Sequence, residues 1–418
     1  MVADLKRGFS HSDLFRDLRQ IEEGLKTVPE TDAKRHHFVP KLLLRRFSAR
    51  ADRIWQLDKE SGESLDVRID KASSRRRFYE FLHNDEGVRT SRMEAWLALV
   101  EGHACKVLRR LEHPGPIVGL ADWDRATLAF FLALLNARTP AAIRVAEQVG
   151  RETMQLKLGT EWSDPEGFAR QHAELFPDAM AGEAEKLRLR ALKQLKRGEI
   201  GFEDPAGAAM QTLVRGSGAM AQEIFESRWI VLRAREGAFV ASDVGLAMHD
   251  PRPRFPWSSQ AWHSSDEVEV TIPIGSGACL FITPGPATFE RLDVGAEEVD
   301  EINLRTFGWS DRFLFGAEEE AMAALWRLAA RRPDLIVKPK PRRMAILVEL
   351  EEGDDSLADE HRRRGWPTHV AAPDPKTGRR RTHDYMVIGE DGEPIELAAK
   401  AIARLRRNAE DSRAQQAA

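Results

Sequence analysis

The stretch "WDRATLAFFLALLNART", residues 123–139, is apolar nearly all round between Leu128 and Leu135. A helix with apolar side chains on every face cannot lie on a surface; other elements must wrap it. That requirement shapes the whole chain. The segment before it, "MEAWLALVEGHACKVLRRLE", places Met93, Trp96, Leu97, Val100, Cys105, Val107, Leu108 and Leu111 on one broad face, so it forms a helix that supplies one wall. Asp122 is expected to cap the buried helix and Pro140 to kink or end it, after which "AAIRVAEQVGRETMQLKL" regains helical character.

The second wall is expected from short strands further on. "RWIVLRA", "EGAFVASD", "EVEVTIPI" and "ACLFITP" read as strands, with "REG" and "GSG" as hairpin turns between successive pairs. An earlier hairpin is expected in "RIWQLDKESGESLDVRI", turning at Glu60-Ser61-Gly62-Glu63. A helix from about Glu297, a strand "DRFLFG" and the helix "EEEAMAALWRLAARR" close the core. The fold class is α+β: a helical N-terminal half packed on an antiparallel sheet of short strands, with a small C-terminal appendage.

Three regions follow. Residues 1–33 form a polar, helical lead-in with Leu14, Leu18, Ile21 and Leu25 at helical spacing. Residues 34–332 form the core domain, with a charged, helix-prone insertion from Trp162 to Asp204. Residues 333–418 carry blocks of opposite charge, as linkers do, then a strand pair around "GEDGE" and the helix "LAAKAIARLRR".

Net charge is −4, so no global field draws the chain to nucleic acid, and electrostatic recognition must come from local patches. Cys105 and Cys279 sit in apolar runs without metal-ligand spacing, which suits buried reduced thiols and a cytoplasmic protein. The N-terminus has no apolar signal region, and no run reaches the roughly 18 apolar residues of a membrane span, so no membrane partner is expected.

The run "KRHHFVPKLLLRRF" sets His36 and His37 among Lys34, Arg35, Lys41, Arg45 and Arg46. Adjacent side chains diverge on a helix or a strand, so the two imidazoles cannot easily serve one site. One faces a site while the other stacks or bonds to backbone, or both simply begin a helix in which Leu43, Leu44 and Phe47 are buried. Arg138, on the otherwise apolar helix, needs an anionic partner: Glu94, Asp243 or a bound phosphate or carboxylate. Asp243 ends a strand beside Ser242, either projecting into a pocket or bonding its own turn. Glu94 either joins a site or sits in the first turn of its helix, where negative charge is favoured. Tyr79 either lends its phenol to a polar site or anchors "RRRFYEF".

These elements, taken in order, resemble the family catalogued as domain of unknown function 4238. The resemblance rests on His36, His37, Pro40, Leu44 and Phe47, then Phe78-Tyr79, Glu94, Arg138-Thr139-Pro140, Trp229, Ser242-Asp243, Pro273 and Asn303, and covers roughly residues 34–316. After Ser-Asp the family commonly continues with Asn or a similar residue and Pro; here Val244-Gly245-Leu246 follows. The resemblance implies a fold and a set of matched positions rather than a reaction.

"HHFVP" is also similar to the His-His-x-x-Pro run of ββα-metal nucleases, but the downstream His and Asn of such a site are missing from "KLLLRRFSAR". No P-loop, GxGxxG, GxSxG, HExxH or Cys–His metal spacing occurs, so no nucleotide cofactor is implied, and a metal ion stays open. Two functions remain. In the first, His36 or His37, Arg138 and Asp243 form the catalytic group of an enzyme, hydrolase-like, acting on a phosphate-bearing or other anionic substrate, with Tyr79, Glu94, Ser242 and Asn303 on the binding side. In the second, the basic opening motif of a non-enzymatic module binds nucleic acid or another partner.

Overall fold

Leu128 to Leu135 lie where their all-round apolar surface requires, in the middle of the core. The computed structural model describes residues 34–332 apart from 51, 80, 84–87, 113–119, 178–181, 203 and 250–267, together with Pro29 and two short strands at 347–349 and 383–385. The lead-in and most of the tail, including the strand pair expected around "GEDGE" and the last helix, lie outside the described residues.

The chain opens with β1 (Arg35–His37), a single helical turn α1 (Lys41–Leu44) and a 3-10 turn at Arg45–Phe47. Then come β2 (Arg53–Asp58), β3 (Ser64–Arg68), β4 (Ser74–Arg76), β5 (Phe81–His83) and β6 (Val88–Thr90). Long helices follow: α2 (Arg92–Glu112), α3 (Asp122–Ala137), α4 (Pro140–Glu161), α5 (Pro165–Leu175), α6 (Glu183–Lys196) and α7 (Pro205–Glu226). The rest is β7 (Arg228–Ala234), β8 (Ala241–Ser242), β9 (Ala247–His249), β10 (Glu269–Gly275), β11 (Ala278–Thr283), β12 (Phe289–Val294), α8 (Ala296–Trp309), β13 (Phe313–Gly316), α9 (Glu319–Arg331) and the pair β14 (Leu347–Glu349) and β15 (His383–Tyr385).

Two compact units emerge, one built from residues 1–146 and 206–339, the other from 147–205 and 340–418. In the first, β12-β7-β11-β10-β9 form a five-stranded sheet and β3-β2-β13-β8 a four-stranded one. One cluster joins Leu128, Phe131, Leu132 and Leu135 of α3 and Val107, Leu108 and Leu111 of α2 to Trp229, Val231, Ile272, Ile274, Leu280 and Ile282 of the larger sheet. Each fully buried Leu, Ile or Phe stabilises by roughly 1.5–3 kcal/mol, so a charged residue anywhere along Leu128–Leu135 would break the core. Arg125 shows how a charge survives there: it packs 4.3 Å over the Trp229 ring and donates to the carbonyls of Phe225, Ser227 and Thr288. In the second unit, Asp164 caps α5 through Glu166 N, and Arg188 of α6 donates to the Trp162 carbonyl.

Pro140 marks the break expected there: α3 stops at Ala137, just before it. It starts α4, where its missing N–H costs nothing. The Thr139 hydroxyl accepts from Ala142 N at 3.2 Å, and the two helix axes meet at 69°. The hairpin at Glu60–Glu63 and the "GSG" turn between β10 and β11 form as expected. "REG" does not make a hairpin: β7 pairs with β11 and, in parallel, with β12, while β8 crosses to β13 in the smaller sheet. The histidines are also not at a helix start. They lie on β1, paired antiparallel with β4, because Pro40 confines helix to the residues after it. Leu43, Leu44 and Phe47 are buried as expected.

Candidate functional site

The β1–β4 ribbon sends its two histidines to opposite sides. His36 stacks on Tyr79, ring centroids 5.6 Å apart and planes 8° from parallel, and its Nδ1 accepts from the Tyr79 backbone N–H at 2.8 Å. That bond fixes the ring proton of the neutral imidazole on Nε2. His37 points its Nε2 at the Asp70 carbonyl, 3.1 Å away; a carbonyl only accepts, so this nitrogen carries the proton. Burial first, then Lys41, Arg35 and Arg138, pull the His37 pKa down to about 4.

Beneath the ribbon, α2 and the end of α3 supply the charges. Arg138 is the residue at which α3 stops, only 1% exposed. Its Nε donates to the Phe38 carbonyl at 3.0 Å and its Nη1 to Glu101 at 2.6 Å, while Nη2 is buried without a hydrogen-bond partner. The Tyr79 hydroxyl donates to the Arg138 carbonyl at 3.2 Å. Burial alone would lower the guanidinium pKa, but Glu101, Tyr79 and Glu94 outweigh it and hold it above the ordinary value. Burial pushes the Tyr79 phenol up.

Glu94, in the first turn of α2, accepts from the His37 backbone N–H. Its pKa is pushed up to about 7, by burial first and then by Glu101, against the pull of Arg138, Lys41 and that N–H. The first turn therefore does not merely host a solvated acid: it places a half-buried carboxyl where the Glu101 carboxylate and the buried Arg138 guanidinium both act on it.

Of the residues singled out from the sequence, His36, His37, Tyr79, Glu94 and Arg138 come together. Ser242, Asp243 and Asn303 do other work. The Asp243 carboxylate accepts from three successive backbone N–H groups, Asp311 at 2.8 Å, Arg312 at 2.8 Å and Phe313 at 2.9 Å, and so fixes the turn from α8 into β13. Burial raises its pKa and those three donors oppose the rise. The Ser242 hydroxyl accepts from Val244 N and Gly245 N, closing the turn after β8. Asn303 bridges Val240 N and the Ala238 carbonyl, 3.0 and 2.9 Å, which pins the approach to β8. These polar side chains are taken up by backbone.

Sequence reasoning missed Glu101, the actual anionic partner of Arg138, and the part played by Lys41. A signal for Glu101 existed: it follows Glu94 by seven residues, two helical turns, and so shares its face. Among the described residues no group of three or more His, Cys, Asp or Glu converges in the manner of a metal site.

The model of a family described as a protein of unknown function, DUF4238, matches residues 35–320. The chain belongs to that family. The DUF4238 span runs from the first residue of β1 into the first turn of α9, so it contains the whole cluster. Neither the curated proteins nor the solved structures contain a match. Among the described residues of this DUF4238 protein, no single helix is long and apolar enough to cross a membrane.

Proposed function

We propose that the cluster of His37, Glu94, Glu101 and Arg138 is an acid–base site acting on a phosphate-bearing or other anionic substrate. The observation that carries this reading is the Arg138 guanidinium, 1% exposed with its Nη2 lacking a hydrogen-bond partner, and the surroundings that raise Glu94 to about 7 and lower His37 to about 4 support it. Environments that push paired titratable groups apart are how active sites assign acid and base roles. Near pH 7 Glu94 is divided between acid and carboxylate, so it can take a proton from an attacking water or give one to a leaving oxygen. Arg138, already positioned by Phe38 and Glu101, has its Nη2 N–H groups left to meet an oxygen on which negative charge develops. His36 and Tyr79 act here as positioning residues, holding β1 against the end of α3. The anionic role first assigned to Asp243 passes to Glu94 and Glu101.

Cys105 and Cys279 are both free thiols, which supports placing the protein in a reducing compartment such as the cytoplasm.

The test uses the purified protein with bis(p-nitrophenyl) phosphate and p-nitrophenyl phosphate. Turnover of one of them should depend on a group ionising near pH 7 and fall by about 10²–10⁴ in a folded Glu94→Gln variant. Wild-type protein that turns over neither probe, or a variant as active as wild type, overturns the reading.

A further inference from the structure

We propose that the β1–β4 ribbon is a docking surface for a nucleic-acid strand, recognised through its phosphodiester backbone. The inference rests on the anionic-substrate reading above and names the substrate class.

Two basic stretches some forty residues apart in the chain are brought into one ladder. Arg35 pairs directly with Arg76, and Arg75 stands opposite His36. The ladder is extended by Arg77 N–H donating to the Lys34 carbonyl at 3.1 Å, which sets Lys34 beside the same end. Lys34, Arg35, Arg75 and Arg76 are all exposed. Like charges directly opposite each other across a ladder are destabilising, and a protein of net charge −4 has acids with which to relieve them.

It does so elsewhere. Several arginines elsewhere are paired with acids, as in Arg228–Glu290, Arg312–Asp58 and Arg144–Asp311. Lys34, Arg35, Arg75 and Arg76 form no ion pair among the described residues. Backbone strain flanks the same strand, because Ser73 and Arg77, on either side of β4, adopt φ of 45° and 53°. Left-handed conformations cost energy in residues other than glycine, so the fold spends stability to present this strand.

The surface leads to the acid–base cluster. Arg35 and Arg76 lie on the ribbon face that also carries His37 and Ser74, since paired positions and their second neighbours share a face. Arg35 is held there by its Nε donating to the Ser74 hydroxyl at 3.2 Å. Arg35 and Lys41 are both near enough to act on the His37 imidazole. A polyanion lying across Arg76 and Arg35 is thereby delivered towards Lys41, Glu94 and Arg138.

Guanidinium groups bind phosphate oxygens in pairs and are weakly hydrated, which suits a phosphodiester chain. An anionic membrane fits less well. The aromatic next to the ribbon, Phe78, packs against Phe38 and Tyr79 with Arg75 over its ring, so the ribbon offers no apolar side chain for insertion.

The experiment follows the fluorescence anisotropy of labelled oligo-U, oligo-dT and a DNA duplex with full-length protein, beside sedimentation with phosphatidylserine vesicles, between about 50 and 200 mM salt. Wild type should bind at least one oligomer with Kd of roughly 10⁻⁴–10⁻⁶ M. For a single strand, Arg35→Gln/Arg76→Gln should weaken binding and lower the slope of log Kd against log salt by about 1.4, about 0.7 per lost cation. Arg35→Gln and Arg76→Gln tested singly, each expected to lower the slope by about 0.7, keep the question open to decision if the double variant does not fold. A preference for oligo-U, oligo-dT or the duplex identifies the strand. No binding to any oligomer, binding to vesicles alone, or folded variants that bind as wild type does would each overturn the proposal. Binding is read without turnover, so loss of docking and failure of the Glu94 reading appear in separate measurements.

Discussion

Arg138 and Glu101 form an ion pair of 2.6 Å in which the arginine side chain is 1% exposed and the glutamate 19%. The pair joins the end of α3 to the middle of α2, and the same guanidinium holds the Phe38 carbonyl just after β1. Removing one member of such a pair leaves the other charged and buried. Arg138→Ala should therefore cost about 3–5 kcal/mol in urea unfolding. Glu101→Gln keeps an acceptor and should cost only about 1–3 kcal/mol. It should also move the Glu94 midpoint below 7, because it removes a repelling carboxylate and leaves Arg138 free to attract. A Glu94 midpoint unmoved in folded Glu101→Gln would show that the two acids do not interact.

Gly245 has a left-handed φ of +82°, and a Cβ there would come within 2.7 Å of the Leu135 side chain in the middle of α3. Gly245→Ala adds a conformational cost of about 1–2 kcal/mol to an overpacking cost of about 1–3 kcal/mol, so a loss of roughly 2–5 kcal/mol is expected. Gly237 has a similar φ of +76°, but its Cβ would meet Val299 at 3.4 Å. Gly237→Ala should cost only the conformational part. Equal losses in thermal melts would mean that Leu135 moves aside easily.

Asp243 separates scaffold from site. Asp243→Asn retains one acceptor oxygen for three N–H donors and turns an amide towards at least one of them. Destabilisation of about 2–4 kcal/mol is expected. The turn from α8 into β13 should lose hydrogen-exchange protection, while the Glu94 midpoint should stay where it is. A shift of that midpoint in the folded variant would put Asp243 back beside Glu94.

The fold was legible where one residue pattern had one physical solution. An all-round apolar helix had to be central, and "GSG" between two apolar runs had to be a hairpin. β12 went unread because the adjacent charges Glu290 and Arg291 break the alternation of FERLDV along a largely exposed edge strand, a weak signal beside the buried strands. β8 was read as β7's partner because sequence proximity stood in for pairing, whereas two residues tied to β13 make a connection between sheets. In the site, the residue types were visible but their partners were not. A buried arginine announces that it needs an anion, yet which of Glu94, Glu101 or Asp243 answers depends on how α2 packs on α3. Asp243 looked catalytic for the reason that it is scaffold: a carboxylate at the end of a buried strand needs donors, and backbone N–H groups supply them.

Glu94 and His37 make opposite contributions to stability as pH changes. Glu94 is raised from its usual 4.5 to about 7, so the folded state binds more protons than the unfolded between those values. Its contribution is full below pH 4.5 and is lost as pH rises through 7. His37 is lowered from 6.5 to about 4, so there the unfolded state binds more protons. Its contribution is full above pH 6.5 and is lost as pH falls through 4. Each amounts to at most about 3 kcal/mol. Across pH 4.5–6.5 the two slopes have opposite sign and similar size, so they nearly cancel in the wild type. Single variants should expose them. Glu94→Gln, left with the His37 contribution, should grow more stable as pH rises from about 4 to 6.5, and His37→Gln, left with the Glu94 contribution, should grow less stable from about 4.5 to 7. Urea midpoints measured across this range decide the matter, and parallel pH profiles for both variants would mean that neither group is displaced in the way its surroundings require.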